Sequence, residues 1–290
     1  MALALNPSQP GGFANARFLG TAADLAYDNA SEGPPKFATQ LGLTARLISV
    51  DNTQAYVATN ADHIVIAFRG SENPASLDGL KDWLLTNAVN MLVVPEGRIG
   101  TDFMAAGVGA RFHLGFMTAL AEVWDPLKAA VDEELAKQDR KVWVTGHSLG
   151  GALATLAAWR LEQQFVTVEG VYTFGAPMIG NELAAKAYDT QFAGRSFRFI
   201  DDADLVPRLP TVSFVTNQYV HVPREMSLGS ALQFGSGVLK ALDVFAGFAR
   251  SATDSVLSGT VRDDLWKLVL QRIDAHMMTN YNALLDKRLK

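Results

Sequence analysis

Residues 142–159, VWVTGHSLGGALATLAAW, restrict the fold more than any other stretch, because eighteen consecutive positions carry no formal charge. The apolar residues before TGHSLGG predict a short buried strand, and the small and apolar residues after it predict a helix. The stretch approaches membrane-spanning length, but TGHSLGG interrupts it with polar and helix-breaking residues. We therefore predict a strand that turns directly into a packed helix, and no transmembrane segment.

His147 and Ser148 lie in the middle of this uncharged stretch. A buried hydroxyl or imidazole without a partner costs about 1–3 kcal/mol, so both residues need an explanation. Gly146, Ser148 and Gly150 match the pattern G-x-S-x-G between a predicted strand and a predicted helix. This context predicts a sharp turn that presents the Ser148 hydroxyl, not buried, as a nucleophile. The alternative is that Ser148 only caps the helix.

Short strands and helices alternate along most of the chain. Three consecutive strands are predicted over ARLISV, AYVATN and HIVIAFRG, and residues 115–137 have helical spacing, with Pro126 expected to kink that helix or start a second one. Strands and helices then alternate up to RSFRFI, which is typical of parallel βαβ units. Residues 211–222 offer a further strand, and the chain from about Arg224 is predicted to be mostly helical. Because no long linker interrupts the sequence, we expect residues 1–290 to form a single α/β domain.

The composition excludes several classes of protein. The chain is 49% hydrophobic and 19% charged, with a net charge of −5 and no basic face, so we expect no nucleic-acid partner. It has no cysteine, and its five histidines do not match metal-ligand spacing. We therefore expect no disulfide, metal or cofactor, and we assume a monomer.

The first residues, MALALNPSQPGG, lack a basic segment and a sustained apolar segment, so they do not resemble a secretory signal. The absence of cysteine also suits a reducing compartment. We therefore expect a cytoplasmic protein or one exported without a leader, although a secreted mature form would have the same sequence.

A serine nucleophile needs a base, and the base needs a carboxylate that fixes its tautomer. After this type of turn the acid precedes the histidine along the chain. Three carboxylates follow the predicted strand RSFRFI at an edge where functional loops occur, namely Asp201, Asp202 and Asp204.

Only two histidines follow these acids, His221 in a strand-like segment and His276 between two helical segments. Because a base must reach the edge of the sheet, the position between elements favours His276. His147 is expected to support the turn, and the histidines at positions 63 and 113 are expected to be structural.

Five motifs occur in order between about Asp62 and His276: IVIAFRGSE, FHLGF, VTGHSLGGALATLAA, YTFGAPMIGN and DADLVPRLP. Together they resemble the class 3, fungal-type triacylglycerol lipase family. The resemblance implies an α/β-hydrolase fold, with a mostly parallel central sheet flanked by helices and a helical lid. It assigns Ser148 as nucleophile, Asp204 as acid and His276 as base, and it makes Ser71 and Leu149 the oxyanion-hole residues.

The implied activity is hydrolysis of acylglycerols at an oil–water interface through an acyl-enzyme. The same machinery could instead act on phospholipids as a phospholipase A1, or on feruloyl or short soluble esters. A more distant alternative is a non-catalytic binding protein with this fold. The absence of cysteine, and Pro223 where the family often has glycine, are departures from the family pattern.

Residues 72–94, directly after Ser71, are the candidate lid. Helical spacing gives this segment an apolar face, with Pro74 and Gly79 as hinges, and the apolar face consists of Leu77, Leu80, Trp83 and Leu84. The alternatives are an ordinary surface helix at this place, or a cover formed by the uncharged residues 226–239.

Overall fold

The structure is a computed structural model that describes residues 3–71, 91–95, 97–209, 219–229, 266–267 and 269–290. Within these residues, a sheet of seven strands forms the centre of the molecule. In chain order its strands are β1 (Thr44–Val50), β2 (Thr53–Thr59), β3 (His63–Phe68), β6 (Lys141–His147), β7 (Val168–Phe174), β9 (Ser196–Ile200) and β11 (Glu225–Ser227).

The spatial order of the main sheet is β1-β2-β3-β6-β7-β9-β11. The first three strands pair antiparallel through tight turns, as the sequence predicts. From β3 onward every pairing is parallel, since each following strand returns through a crossover. The sheet is therefore mostly parallel, as expected for an α/β-hydrolase.

Helices cover both faces of the main sheet. They are α1 (Phe13–Leu25), α2 (Gly33–Leu41), α3 (Gly97–Met104), α4 (Leu114–Lys137), α5 (Leu149–Gln163), α6 (Glu182–Phe192), α7 (Ile273–His276) and α8 (Met278–Arg288). Apolar residues of α4, α5 and α6 form one buried cluster with the sheet, and those of α1, α2 and α8 form a second. The core therefore lies in two layers, one on each face. Among the described helices, none is long and apolar enough to cross a membrane.

A second, smaller sheet lies at the edge where the parallel strands end. Its strands, β4 (Leu92–Val93), β5 (Phe112–His113), β8 (Gly180–Asn181) and β10 (Tyr219–Val220), pair antiparallel in the order β10-β8-β5-β4. Strand β5 leads directly into α4, and β8 follows the loop after β7. The Met178 N–H donates to the Leu209 carbonyl at 2.8 Å, which joins this loop to the one after β9.

Two local predictions differ from the structure. Helix α4 continues through Pro126 as one helix, so no second helix starts there. Pro126 lies on the exposed side, where water can satisfy the carbonyl that loses its partner. Residues 225–227, predicted to be helical, form β11 beside β9 because Met226 packs against the core and the open edge of the sheet supplies hydrogen bonds. The predicted helices after residue 272 are present, and the single-domain organisation stays a prediction.

Candidate active site

The turn between β6 and α5 has the geometry that its glycines predict. Ser148 has φ 57° and ψ −130°, a left-handed conformation that few non-glycine residues adopt. A Cβ at Gly146 would lie 2.2 Å from the Gly150 carbonyl oxygen, and a Cβ at Gly150 would lie 2.3 Å from the Phe68 carbonyl oxygen. Glycine is therefore required on both sides of Ser148 by close backbone contacts.

The Ser148 side chain does not act as a helix cap, because it makes no capping hydrogen bond to α5. The hydroxyl is also not presented to solvent, since the residue is only 1% exposed. The expectation of an exposed hydroxyl is therefore wrong in this structure. The turn does bring Ser148 to the end of β6, but the residue is buried there, as are Ser71, Asp204 and His276.

His276 and Asp204 form the central contact of the site. The His276 Nδ1 lies 2.8 Å from the Asp204 Oδ2, and both side chains are buried. The other carboxylate oxygen of Asp204 accepts from the Val206 N–H at 2.9 Å. Because an ionised carboxylate only accepts, Nδ1 is the protonated nitrogen of His276. The remaining nitrogen, Nε2, is then free to accept a proton.

The end of β7 and the loop after it contact both Ser148 and the His276–Asp204 pair. The Ser148 N–H donates to the Phe174 carbonyl at 2.9 Å, and a Cβ at Gly175 would lie 2.8 Å from the Asp204 Oδ2 and 3.0 Å from the His276 Nδ1. Among the described residues, neither the Ser148 Oγ nor the His276 Nε2 has a hydrogen-bond partner. Two buried polar atoms with unused capacity therefore lie in one site, which indicates a reactive centre.

The other candidate acids and base have structural contacts instead. Asp201 accepts from the Ala203 N–H and from the Asn280 amide, and Asp202 accepts from the Ser227 hydroxyl. His221 contacts the Pro207 carbonyl through Nε2, and burial next to Arg198 lowers the pKa of His221 to about 3. Within the part of the chain that the structure describes, no group of three or more acidic or histidine side chains could hold a metal.

Strand β3 brings the candidate oxyanion residues beside the turn. Phe68 is opposite Gly146 in the parallel ladder, so the chain after β3 passes next to Ser148. Ser71 is buried, and its Oγ has no hydrogen-bond partner among the residues described. Leu149 is the first residue of α5, where backbone N–H groups have no partner within the helix. The lid candidates Pro74, Leu77, Leu80, Trp83 and Leu84 lie outside the described residues, as does most of the alternative cover, residues 226–239.

Two tyrosines contact this site although no sequence pattern predicts that they do. The Tyr281 hydroxyl donates to the Asp204 Oδ2 at 2.7 Å, and burial together with this carboxylate raises the Tyr281 pKa well above its usual value. The Tyr27 hydroxyl lies 2.8 Å from the Nδ1 of His147. No local motif indicates either contact, since Tyr27 is 120 positions from its partner and Tyr281 is part of a helical pattern.

The sequence profile of the family described as Lipase (class 3) matches residues 65–214, more than half of the 290 residues. The chain belongs to the class 3 lipase family. It is 39% identical over 163 residues to secreted mono- and diacylglycerol lipase 1 of Fusarium solani, covering 55% of this chain and 44% of the relative. Secreted mono- and diacylglycerol lipase A of Penicillium cyclopium is 32% identical over 183 residues, covering 63% of this chain and 51% of that protein.

A solved triacylglycerol lipase, described as having a serine protease triad as its catalytic centre, has a similar structure to this member of the class 3 lipases. The TM-score is 0.57 at 26% sequence identity, over 74% of this chain and 79% of the other. This similarity supports the α/β-hydrolase fold of the main sheet and its helices.

The comparisons correct the expected location. Both curated lipases named above are described as secreted, so the expectation of a cytoplasmic location is wrong, and the findings point instead to the secreted form that the sequence left open. That expectation rested on the N-terminal residues and on the absence of cysteine. The matched region spans about half the length of these relatives.

Proposed function

We propose that this protein is a serine carboxylic-ester hydrolase that acts on acylglycerols. The observation that carries the proposal is the buried His276–Asp204 contact of 2.8 Å, with the Ser148 Oγ and the His276 Nε2 both unpaired among the described residues. A hydroxyl and an imidazole nitrogen with free capacity are the two groups that nucleophilic acyl transfer requires.

The reaction follows from these three side chains. The His276 Nε2 takes the hydroxyl proton as the Ser148 Oγ attacks the ester carbonyl carbon, and the imidazolium is stabilised by Asp204. The tetrahedral intermediate collapses, the ester C–O bond breaks, and His276 returns the proton to the leaving alcohol. Water, deprotonated by the same nitrogen, then attacks the acyl carbon, the bond to the Ser148 Oγ breaks, and His276 returns the proton to that oxygen as the fatty acid leaves.

The negative charge of the intermediate needs donors that are in place before the reaction. We assign this role to the backbone N–H groups of Ser71 and Leu149, with the Ser71 hydroxyl as a further donor. The position of Ser71 after β3, and of Leu149 at the start of α5, supports this assignment. The helix dipole of α5 also favours negative charge at this end.

Acylglycerols are the proposed substrates because the relatives named above act on mono-, di- or triacylglycerols. The test compares the purified protein on emulsified triacylglycerol, a diacylglycerol, phosphatidylcholine and a soluble p-nitrophenyl ester. We expect acylglycerol hydrolysis to be the fastest. Hydrolysis confined to phosphatidylcholine or to the soluble ester would contradict the substrate class while leaving the mechanism in place.

The mechanism is tested with Ser148→Ala. We expect this variant to keep the thermal unfolding midpoint of the wild type within a few degrees and to lose about 10⁴–10⁶ in kcat. A fluorophosphonate probe should label Ser148 of the wild-type protein, as located by peptide mass spectrometry. A folded Ser148→Ala variant with most of its activity would refute the proposal, and so would a wild-type protein that neither hydrolyses esters nor reacts with the probe.

A further inference from the structure

His147, next to the proposed nucleophile, uses both ring nitrogens in contacts with other parts of the chain. Its Nε2 lies 2.6 Å from the backbone carbonyl oxygen of His276, and its Nδ1 lies 2.8 Å from the hydroxyl of Tyr27 in the turn after α1. The residue is buried, and the rings of His147 and His276 are 4.5 Å apart. A single side chain thus joins the N-terminal region to the segment that carries the proposed base.

The direction of each hydrogen bond follows from the chemistry of the partners. A carbonyl oxygen can only accept, so the Nε2 of His147 carries the proton and donates to His276. The Nδ1 is then an acceptor, and the Tyr27 hydroxyl donates to it. Burial, together with the neighbouring His276, lowers the pKa of His147 well below its usual value, so the ring is neutral at the pH at which His276 acts.

The backbone of His276 needs such a partner. His276 is the last residue of α7, a helix of four residues, and the carbonyls at a helix end have no partner within the helix. A single helical turn is also marginal by itself, because forming it fixes several backbone angles for one hydrogen bond. The contact with His147 therefore holds in place a backbone segment that local structure would leave poorly fixed.

The same contacts extend to the proposed oxyanion segment. The backbone N–H of Gly70, which precedes Ser71, lies against the Tyr27 hydroxyl. A Cβ at Gly70 would be 2.0 Å from this hydroxyl and 2.9 Å from the His147 carbonyl oxygen, so the two segments are in direct contact. Tyr27 therefore contacts Gly70, the residue before Ser71, while His147 contacts the backbone of His276.

We propose that Tyr27 and His147 are positioning residues, which hold the backbone of His276 and the segment before Ser71 in the arrangement that acyl transfer requires. Neither side chain reacts with the substrate. The inference rests on the proposed function, since it assigns a role relative to His276 as base and Ser71 as oxyanion residue. Its consequence is that changes at Tyr27 and His147 reduce the rate of the chemical step more than they reduce substrate binding.

The first experiment compares Tyr27→Phe with Tyr56→Phe. Both changes remove one hydroxyl that is hydrogen-bonded in the same region, because the Tyr56 hydroxyl donates to the carbonyls of Asp28 and Asn29 at 3.0 and 2.7 Å. Of these two hydroxyls, that of Tyr27 is the one hydrogen-bonded to His147. With a soluble p-nitrophenyl ester we expect kcat to fall about three- to tenfold in Tyr27→Phe at an unchanged KM, and less than twofold in Tyr56→Phe.

The second experiment changes the donor itself. His147→Leu removes the hydrogen bond and leaves a buried carbonyl without a partner, so we expect kcat to fall about 10- to 100-fold. His147→Gln places an amide N–H near the position of Nε2, and we expect it to restore kcat to within about threefold of the wild type. The rate of fluorophosphonate labelling at Ser148 should follow kcat in each variant, because it depends on the same base.

The outcomes separate this inference from the proposed function. If the wild-type protein hydrolyses esters but Tyr27→Phe and Tyr56→Phe lose equal activity, or His147→Gln is no better than His147→Leu, the positioning role is refuted and the proposed function stands. If His147→Leu does not fold, the comparison of Tyr27→Phe with Tyr56→Phe still tests the positioning role. A wild-type protein without activity or labelling refutes the proposed function itself.

Discussion

At the scale of single residues, the two buried carboxylates after β9 differ in what they contact. Asp204 pairs with the His276 Nδ1 and accepts from Tyr281, whereas Asp201 accepts from the Ala203 N–H and the Asn280 amide. They lie only three positions apart, and both are almost completely buried. Burial alone therefore does not distinguish the proposed catalytic acid, Asp204, from a carboxylate that shapes a loop, Asp201.

This difference predicts unequal effects of the same amide substitution. We expect Asp204→Asn to lower kcat by about 10⁴, because an amide at this place no longer stabilises the imidazolium or selects its tautomer. Asp201→Asn should lose less than about tenfold, since an amide oxygen can still accept from the Ala203 N–H. Steady-state kinetics on a soluble ester, with circular dichroism as a check of folding, measure both. A larger loss in Asp201→Asn would mean that the roles are reversed.

At the scale of elements, the turn between β6 and α5 depends on backbone contacts that leave no space for side chains. The Gly146 Cβ position is 2.2 Å from backbone oxygen, and backbone cannot move aside as a flexible side chain can. Gly42, which ends α2 with φ 64°, has nothing within 4 Å of its Cβ position. Glycine therefore fits these two positions for different reasons, close contact with backbone at Gly146 and a positive φ at Gly42.

The element-scale prediction compares alanine at these two positions. Gly146→Ala should remove most of the ester hydrolysis and lower the thermal unfolding midpoint, because the clash displaces Ser148 and the start of α5. Gly42→Ala should retain wild-type kcat and lose only about 1–2 kcal/mol of unfolding free energy from its backbone angle. Activity and calorimetry on both variants provide the measurement. Full activity in Gly146→Ala would show that the turn tolerates a different backbone path.

At the scale of the whole molecule, His147 and His221 link stability to pH. Burial lowers the pKa of His147 well below its usual value and that of His221 to about 3, the latter with help from Arg198. In the unfolded chain both pKa values return to about 6.5. Between these limits the unfolded state binds protons that the native state does not, so stability falls as the pH falls below about 6.5.

We therefore expect the free energy of unfolding to decrease between pH 6.5 and pH 5. Each of these histidines contributes at most about 1.4 kcal/mol per pH unit. His221→Gln keeps a donor for the Pro207 carbonyl but cannot titrate. The slope of its unfolding free energy against pH should therefore be smaller than that of the wild type, by up to about 1.4 kcal/mol per pH unit. Urea unfolding of both proteins across this range measures the slopes. Parallel slopes would show that His221 does not contribute.

The sequence by itself determined most of the order of elements and the glycine-flanked turn at Ser148. Alternating apolar strands and helices predict a mostly parallel sheet because hydrophobic periodicity is a local property, and G-x-S-x-G is informative because glycine is required where backbones meet. The five ordered motifs identified the family, and the position between helices favoured His276 over His221. Each of these inferences rests on local sequence patterns and on their order along the chain.

The tertiary structure decided what depends on contacts between distant positions. It paired β11 with β9, buried Ser148, and brought Tyr27 and Tyr281 to the site. Local sequence could not predict these features, because a short strand is stabilised by the open edge it meets and a tyrosine hydroxyl bonds to whichever group folding brings near. The proposed nucleophile, Ser148, could therefore be predicted from its own segment, whereas its contacts with Tyr27 and Tyr281 were fixed only when distant segments came together.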